Sequence, residues 1–540
     1  MEYSDLIEDV HRIIFSKCSA EDVLAISTTS SALRSLALLH VTFCPRSDDE
    51  VLKLATTILP ADPSAPINLL CYLGGLRLTL QYKFAVEPGT SLDFVLPLKN
   101  MFTHLASAGN LQRLTIGRMD FVAKHPQLME AIATLPNLLD IRFLFLPSGV
   151  FQDFARALKS TPMRLTLFDI DPDMVSEDNL VSILNYMRPS DSEIAVPEPR
   201  CANEGAVDTG ERRPLPSLSC LQSLYVSLLL SRPRSSLEQP LAHRLAFPAI
   251  NEVALVNGFL STDVAFQAFR NVRRLTLRLM RMPSGAPRTT QWKDLDYLNA
   301  SPLSFVAWTI TIPVSWLELD LDLCYRMPEL PWVELRPVAV TVHRDIRDFE
   351  KERDLFWQTL AKAMSEAHTV RSFELTLTMD RLPRDLGNVE DWEDVSFLRA
   401  AVSTILQELA DANVPLMYLR VFCVLTGLEN GDDVRDDAAV DPVGLIPQEV
   451  QKCLPGVRYL SLGVGKWHEY DSTMRLPVND PKWRYSWWRF SENDEKRRMP
   501  AAVGERLRKE MFGRECDFES LAMRELELST ELGYADGLQI

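Results

Sequence analysis

The chain has 540 residues, and 46% of them are hydrophobic, so it is long enough for several domains or one long repeat array and too apolar to be globally disordered. Its net charge of −17 argues against nucleic acid or an anionic membrane as the main partner, because both need clustered basic surface. Nine cysteines are scattered without a Cys-x-x-Cys motif, which indicates reduced thiols in a cytoplasmic or nuclear protein. We expect neither a signal peptide nor a membrane-spanning segment, since no apolar stretch is long enough.

The first forty residues predict three short helices, each with its own start signal. The first has acidic residues in its opening turn and apolar residues at Val10, Ile13 and Ile14. The second begins at Ser19, with Asp22 three residues later as a variant of the capping box. A third begins near residue 30. A segment this short buries little apolar surface alone, so its remaining apolar side needs a partner.

This N-terminal segment resembles the F-box. The positions that match the family's pattern are Leu6, Glu8, Val10, Ile14, Asp22, Val23, Leu24, Ser27, Leu33 and Leu36. Ile7 stands where the family usually has proline, and Leu33 lies nearest to the position where an aromatic residue is often found. The resemblance implies a Skp-family adaptor, and through it a cullin scaffold, as partners. It places Leu6, Ile7, Val10, Ile14, Leu24 and Leu33 at the adaptor interface. The alternative is a helical cap that shields the end of the following domain.

Beyond residue 70 one pattern recurs, in which an apolar residue is followed by two variable residues, an apolar one, a variable one and an apolar one. The last two apolar positions alternate as in a β-strand. The copies are Leu73-Leu76-Leu78, Leu111-Leu114-Ile116, Leu138-Ile141-Phe143, a partial Leu165-Leu167, Leu221-Leu224-Val226, Ile250-Val253-Leu255, Val272-Leu275-Leu277, Val314-Leu317-Leu319, Val370-Phe373-Leu375, Leu416-Leu419-Val421 and Val457-Leu460-Leu462.

Several copies follow a run with helical periodicity, and a Pro, Gly or Asn often separates the two. The predicted helices span residues 91–108, 127–134, 151–159, 263–270, 349–367, 395–411 and 447–454. Helix, tight turn and short strand in repetition resemble irregular leucine-rich repeats that lack the family's asparagine. The resemblance implies an α/β solenoid with a parallel concave sheet and outer helices. The alternative is a general α/β domain with right-handed crossovers.

We therefore predict an F-box-like helical module over residues 1–45, an irregular leucine-rich-repeat domain over 46–463 and an aromatic-rich cap with a helical tail over 464–540. Residues 189–217 and 429–442 are polar insertions that we expect to be mobile. Aromatic residues crowd among basic ones over 483–488, which indicates either a cap on the end of the array or a ligand-binding patch. An amphipathic helix is predicted over 501–512.

No catalytic constellation is evident in the sequence. There is no Gly-x-Ser-x-Gly elbow and no His-Glu-x-x-His, and the histidines are dispersed, so we predict neither a metal nor a cofactor. Strand residues between the apolar positions should face the concave side, where Tyr, Trp and Arg favour protein binding. The predicted substrate-binding residues are Tyr225, Arg274, Arg278, Trp316, Glu318, Asp320, Glu374, Tyr418, Arg420 and Tyr459.

The resemblances to the F-box and to irregular leucine-rich repeats together imply the substrate-recognition subunit of a Skp-cullin-F-box E3 ubiquitin ligase. Such a subunit would hold an unidentified target protein through the repeat domain and contribute proximity rather than an active site of its own. Two alternatives remain open. One is a leucine-rich-repeat scaffold with no ligase role, and the other is an enzyme whose site groups are scattered along the chain.

Overall fold

A computed structural model of the protein divides into an N-terminal unit, residues 1–272 with 279–289, and a C-terminal unit, residues 273–278 with 290–540. The structure describes residues 42–45, 47–57, 73–78, 91–145, 148–170, 218–228, 246–258, 260, 262–280, 292–321, 327, 329–345, 355–379, 393–425, 447–466, 484–490, 496–512 and 520–531, together with the single residues 23, 25, 37 and 39. The predicted insertions at 189–217 and 429–442 lie outside these residues.

The N-terminal unit alternates strands and helices along the chain. Its strands are β1 (Thr42–Phe43), β2 (Gly75–Leu78), β3 (Arg113–Ile116), β4 (Asp140–Leu144), β5 (Arg164–Ile170), β6 (Ser223–Leu228) and β7 (Glu252–Val256). Its helices are α1 (Asp48–Thr57), α2 (Ser91–Ala108), α3 (Met119–Ala123), α4 (Pro126–Ala133), α5 (Ser148–Ala157) and α6 (Thr262–Ala268). All of these strands pair in parallel with their neighbours in chain order.

The strand register of this unit confirms the repeated apolar pattern. One buried row across the sheet is formed by the middle apolar position of each copy, namely Leu76, Leu114, Ile141, Leu165, Leu224 and Val253. Helices cover this apolar side, as the edge-to-face contact of Phe143 on β4 with Phe154 on α5 shows at a ring separation of 5.0 Å. Helices α1, α2, α4 and α5 pack in sequence against one another. Stacking of neighbouring repeats therefore builds the core.

The C-terminal unit continues the same alternation. Its strands are β8 (Arg274–Arg278), β9 (Leu295–Ala300), β10 (Val314–Asp320), β11 (Ala339–Asp345), β12 (Ser372–Met379), β13 (Tyr418–Leu425), β14 (Tyr459–Lys466), β15 (Arg484–Phe490) and β16 (Lys496–Met499). Its helices are α7 (Pro302–Trp308), α8 (Trp332–Leu335), α9 (Leu355–Ala367), α10 (Glu393–Asp411), α11 (Pro447–Cys453), α12 (Ala501–Met511) and α13 (Leu521–Glu531). Strands β8–β14 are parallel, whereas β15 and β16 join the end of the sheet antiparallel.

The turn from helix to strand recurs with one backbone conformation. Gly109, Thr309, Arg336, His368 and Asn413 each adopt a left-handed φ between 47° and 70° just after a helix and a few residues before the next strand. A left-handed residue ends a helix by directing its last free carbonyls to local partners. The predicted α/β architecture with a mostly parallel sheet is thus confirmed within each unit, while its assignment to the leucine-rich repeats stays a prediction.

Candidate functional site: the polar faces of the two units

In the C-terminal unit, the outward strand residues form a face on the side opposite the apolar rows, and we call it the C-terminal polar face. Its first row is formed by Arg274, Tyr297, Trp316, Ala339, Ser372, Tyr418 and Tyr459. The second row is formed by Thr276, Asn299, Glu318, Thr341, Glu374, Arg420, Ser461 and Trp487. Parallel pairing in register therefore makes neighbours of residues that are far apart in sequence.

The C-terminal helix pair, α12 and α13, packs on this face. The buried cluster between strands and helices contains Tyr418, Tyr459, Trp487 and Met499 from the strands, Val503, Leu507, Met511 and Phe512 from α12 and its end, and Leu521 and Leu528 from α13. The Trp487 ring stacks on Tyr418 with centroids 5.5 Å apart and planes 9° apart. Because burial of each large apolar side chain contributes about 1.5–3 kcal/mol, this cluster holds the helix pair on the sheet.

Glycine at position 504 lets α12 approach the sheet. A Cβ atom at Gly504 would lie 2.2 Å from a ring carbon of Trp487, far inside van der Waals contact. Gly504 is buried in the helix and Trp487 is completely buried, so neither group has free space to move into. Glycine, which has no side chain, therefore permits the close contact between α12 and β15.

An ion pair between Glu374 and Arg508 joins β12 to α12. The Glu374 side chain is buried, and both of its oxygens accept hydrogen bonds from Arg508, with Nη2 at 2.6 Å from Oε2 and Nε on Oε1. The Tyr418 hydroxyl donates to Oε1 at 3.0 Å, and the Thr341 hydroxyl lies 3.3 Å from Oε2. The bidentate geometry and the extra donors satisfy a carboxylate that would otherwise be costly to bury.

The charge states of this cluster follow from burial and its neighbours. Burial by itself raises the pKa of Glu374. The charges of Arg508 and Arg420, with the hydrogen bonds from Arg508 and Tyr418, lower this pKa by a larger amount, so it lies below the ordinary glutamate value. Burial, and then the charge of Glu374, raise the pKa of Tyr418 well above that of a free phenol. Burial lowers the pKa of Arg508, but Glu374 raises it above the ordinary value. At neutral pH the cluster therefore contains a carboxylate, a guanidinium and a neutral phenol.

A second ion pair joins the same face to α12. Arg420 on β13 is 4% exposed, and its Nη1 lies 3.2 Å from Oε1 of Glu505. The indole Nε1 of Trp487 donates to the same oxygen at 3.2 Å. Ser372 adds a hydrogen bond from its hydroxyl to the carbonyl oxygen of Met511 at 3.4 Å. Ion pairs and hydrogen bonds, as well as apolar contacts, thus hold α12 on the sheet.

At the β8–β11 end of this face, polar side chains pack on one another around Glu318. Its Oε2 accepts a hydrogen bond from the Tyr297 hydroxyl, and its Oε1 accepts one from Asn299 Nδ2, both at 2.8 Å. His343 Nε2 lies 3.1 Å from Oε1 of the same carboxylate. The Arg274 guanidinium lies over the Tyr297 ring at 4.6 Å. Arg274 is exposed, so this end of the face remains in contact with solvent.

The corresponding side of the N-terminal unit, formed by the outward residues of β2–β7, is the N-terminal polar face. One row is formed by Gly75, Arg113, Asp140, Arg164, Ser223 and Glu252, and the next by Arg77, Thr115, Arg142, Thr166, Tyr225 and Ala254. Arg142 donates two hydrogen bonds to Asp140, from Nη2 to Oδ2 at 3.1 Å and from Nε to Oδ1 at 3.2 Å. Of the residues in these two rows, Asp140 alone is buried as a charged group, and Arg77, Arg164 and Glu252 are exposed.

The structure places all ten predicted substrate-binding residues on the polar faces, as expected from strand alternation. Tyr225, Arg278, Trp316 and Asp320 are half-buried, Arg274 is exposed, and Arg278 lies 3.9 Å from Asp320 as an ion pair. The expected exposure is wrong for five of the ten, which are Glu318, Glu374, Tyr418, Arg420 and Tyr459. Four of these lie under or beside the C-terminal helix pair, and Glu318 lies beneath its own neighbours on the sheet. Whether any of the ten binds a target stays a prediction.

Sequence reasoning missed the residues that complete these clusters. Tyr297 and Asn299 belong to β9, whose Leu295, Leu298 and Ala300 fit the repeated pattern with alanine in the last place. Strand β11 was missed as well. The spacing of Glu505 and Arg508 could have indicated their role. Residues three apart on an amphipathic helix lie on one side and can contact the same surface.

The aromatic segment at 483–488 lies partly in β15, near the end of the sheet. Trp487 is fully buried against α12, whereas Trp488 is half-buried and donates from Nε1 to the Ser486 hydroxyl at 3.3 Å. Trp483 lies outside the described residues. The antiparallel strands and the buried indole favour the interpretation of this segment as a cap on the array.

The predicted adaptor-binding residues Leu6, Ile7, Val10, Ile14, Leu24 and Leu33 all lie outside the described residues. The four single residues described there are helical, and Val23 and Ala37 are buried. The carbonyl oxygen of Leu39 would be only 1.8 Å from a Cβ atom at Gly74, and it accepts a hydrogen bond from Arg113 Nη2 at 3.4 Å. Leu39 therefore packs directly against the residue that precedes β2.

No protein-family model matches the chain, and no curated protein matches it. Among the described residues, no group of three or more His, Cys, Asp or Glu is placed to hold a metal ion. No helix in the described part of the chain has both the length and the apolar character needed to cross a membrane.

Proposed function

We propose that the protein is the substrate-recognition subunit of a Skp-cullin-F-box ubiquitin ligase in the cytoplasm or nucleus. In this role the N-terminal segment binds the Skp-family adaptor, the adaptor binds a cullin scaffold, and the repeat domain holds a protein target. The contribution of the chain is to raise the effective concentration of the target beside a separate conjugating enzyme. The observation that carries the proposal is the F-box-like pattern over residues 6–36, joined to a repeat domain with outward polar rows.

The contacts of Ala37 and Leu39, which follow directly after the F-box-like pattern, support this division of labour. Leu39 contacts Gly74 and Arg113 within the N-terminal unit, and Ala37 is completely buried. A flexible tether would let a bound target sample a large volume, whereas packed contacts reduce that freedom and raise the effective concentration. The contacts therefore suit a protein that must present its target in a limited range of positions.

An adaptor pull-down tests the proposal. The full-length protein should retain purified Skp-family adaptor, and Ile14→Asp should reduce the retained adaptor to background, because a buried charge at an apolar interface is costly. Val306→Asp is the matched control, since Val306 is apolar, 56% exposed and located on α7. Equal, background-level recovery by the wild type and Ile14→Asp would end the ligase proposal.

A second candidate is a repeat scaffold with no ligase role, in which the N-terminal helices only cap the array. The burial of Ala37 and the contact of Leu39 with Gly74 fit this candidate as well as the first, because both tie the end of the segment into the domain. Deletion of residues 1–36 separates the two functions. Loss of a cap should lower the melting temperature markedly, whereas loss of a docking module should abolish adaptor binding and leave the melting temperature within about 2 °C.

A further inference from the structure

Four arginines lie close together on the N-terminal polar face. Arg77 on β2 and Arg142 on β4 belong to one row, and Arg113 on β3 and Arg164 on β5 belong to the adjacent row. Since neighbouring strands are about 4.8 Å apart, the two arginines of each row lie roughly 10 Å apart, and the rows are staggered by one strand. Among the outward residues of these four strands whose side chains the structure describes, Asp140 is the only carboxylate.

Asp140 neutralises only part of this charge. It binds Arg142 at 3.1 Å. Burial lowers the pKa of Arg113, and the nearby charge of Asp140 offsets part of that effect. Within the described part of the chain, no carboxylate forms an ion pair with Arg77 or Arg164, and both side chains are exposed. The face is thus basic, on a protein whose net charge is −17.

An apolar corner adjoins the arginines. Phe168 on β5 stacks on Tyr225 of β6 with ring centroids 6.1 Å apart and planes 22° apart. Leu144 on β4 pairs with Phe168 in the sheet register and faces the same side. All three side chains are half-buried, so each keeps part of its apolar surface in solvent. An apolar group of a ligand would cover that surface favourably.

The C-terminal unit shows what an equivalent face accepts. There, Glu505 of α12 supplies the carboxylate that pairs with Arg420 of the sheet, at 3.2 Å. Phe512, after the end of the same helix, supplies the apolar ring that packs on Trp316, with centroids 4.6 Å apart. In that unit, one segment that contains an acidic and an apolar residue pairs with the outward arginine and packs on the outward aromatic residue.

We propose that the N-terminal polar face binds a short acidic segment of a partner protein, with carboxylates on Arg77 and Arg164 and an apolar side chain on Phe168 and Tyr225. From β2 to β6 the face spans four strand spacings, or about 19 Å, which an extended chain crosses in about six residues. Assigning this segment to the ligase target rests on the proposed function, whereas the binding itself does not depend on the adaptor.

The charge pattern favours a peptide over a nucleic acid. Asp140, which is paired with Arg142, and Glu252 interrupt the row that contains Arg113 and Arg164, so this row offers no continuous run of cations to a run of phosphates. An acidic peptide can space its charges to match the arginines and place an apolar residue at the corner. Arginine binds carboxylates and phosphates alike with two parallel hydrogen bonds, so glutamate and phosphoserine are two sources of the same anionic chemistry.

Fluorescence anisotropy with the full-length protein tests the proposal. The probe is a labelled eight-residue peptide with four glutamates and a terminal phenylalanine, and the companion probes replace the glutamates by glutamine or by phosphoserine. A single-stranded oligonucleotide of the same charge is the fourth probe. The glutamate peptide should bind saturably and more weakly as salt rises, and the glutamine peptide should not bind. The phosphoserine peptide shows which anionic group the arginines prefer, and binding of either acidic peptide supports the site.

The decisive variant is Arg77→Glu/Arg164→Glu, which reverses two exposed charges and should weaken acidic-peptide binding by about 100-fold, roughly tenfold for each charge-assisted contact. The matched control is Arg156→Glu/Lys159→Glu, which makes the same charge change at exposed positions in and after α5. The control should change binding by no more than about twofold, because those charges are distant and screened. Equal loss in both variants, absence of binding by both acidic peptides, equal binding of the glutamine peptide or tighter binding of the oligonucleotide would each overturn the proposal. A failed adaptor pull-down would not.

Discussion

The two polar faces are built from the same strand positions but are used differently. On the C-terminal polar face, Glu374 and Arg420 are buried and paired with Arg508 and Glu505 of the C-terminal helix pair. On the N-terminal polar face, arginines stay exposed or half-exposed. The difference teaches that strand alternation decides which side of the sheet a residue faces, whereas the rest of the chain decides whether that side is available to a partner.

One substitution made on both faces gives the largest expected contrast. Glu374→Gln leaves the buried Arg508 guanidinium without its counter-charge and should lower the free energy of unfolding by about 3–5 kcal/mol. Glu252→Gln, at an exposed position of β7, should change it by no more than about 0.5 kcal/mol. Urea denaturation measures both. Similar losses in the two variants would mean that the faces do not differ in burial.

The pH dependence of that loss sharpens the same contrast. The pKa of folded Glu374 lies below the ordinary value of about 4.3, so the folded state binds this proton more weakly than the unfolded state. The stabilisation is complete above the ordinary pKa and is lost as pH falls through the folded pKa. The difference in unfolding free energy between the wild type and Glu374→Gln should therefore shrink at acid pH. A difference that grows in acid would contradict the assignment.

The close approach of α12 to Trp487 predicts whether Gly504→Ala raises or lowers the stability of the protein. At an exposed helix position, Gly→Ala stabilises a protein by about 1 kcal/mol. Gly504→Ala should instead destabilise it by about 1–3 kcal/mol, because the added methyl group would overlap the Trp487 ring. Thermal unfolding of the two proteins reports the sign. An unchanged or raised melting temperature for Gly504→Ala would show that the helix pair does not pack as described.

The smallest effect is expected at Arg77. The side chain is exposed on β2, so Arg77→Ala should change the free energy of unfolding by no more than about 0.5 kcal/mol. The same variant should weaken binding of the acidic peptide about tenfold. Denaturation and anisotropy on one protein sample separate the two effects. A large stability loss would mean that Arg77 supports the fold and does not belong to a binding surface.

Much of the fold could be predicted from local pattern. The spacing of Leu114 and Ile116, repeated at Ile141 and Phe143, placed β3 and β4 correctly because alternation fixes the buried side. Helix α2 was predicted with its observed bounds, Ser91–Ala108. Strand β11 was missed because no copy of the pattern was recognised around Val340, although it pairs in register with β10 and β12.

The covering of the C-terminal polar face could not be predicted in the same way. Glu374 and Arg508 are separated by 134 residues, and no local spacing relates them. Trp316 and Tyr418 are typical interface residues whether they meet another protein or another part of their own chain. The amphipathic helix at 501–512 was predicted from its period, but its apolar side alone does not say which surface it covers.

Hydroxyl-radical footprinting of the native protein tests the difference between the faces most directly. Tyr225 on the N-terminal polar face is half-buried, whereas Tyr418 and Tyr459 on the C-terminal polar face are 0% and 3% exposed. Mass spectrometry should find Tyr225 oxidised at least about ten times faster than either of the other two, because the oxidation rate follows side-chain exposure. Equal oxidation of Tyr225, Tyr418 and Tyr459 would contradict the account, since the C-terminal polar face would then be as open as the N-terminal one.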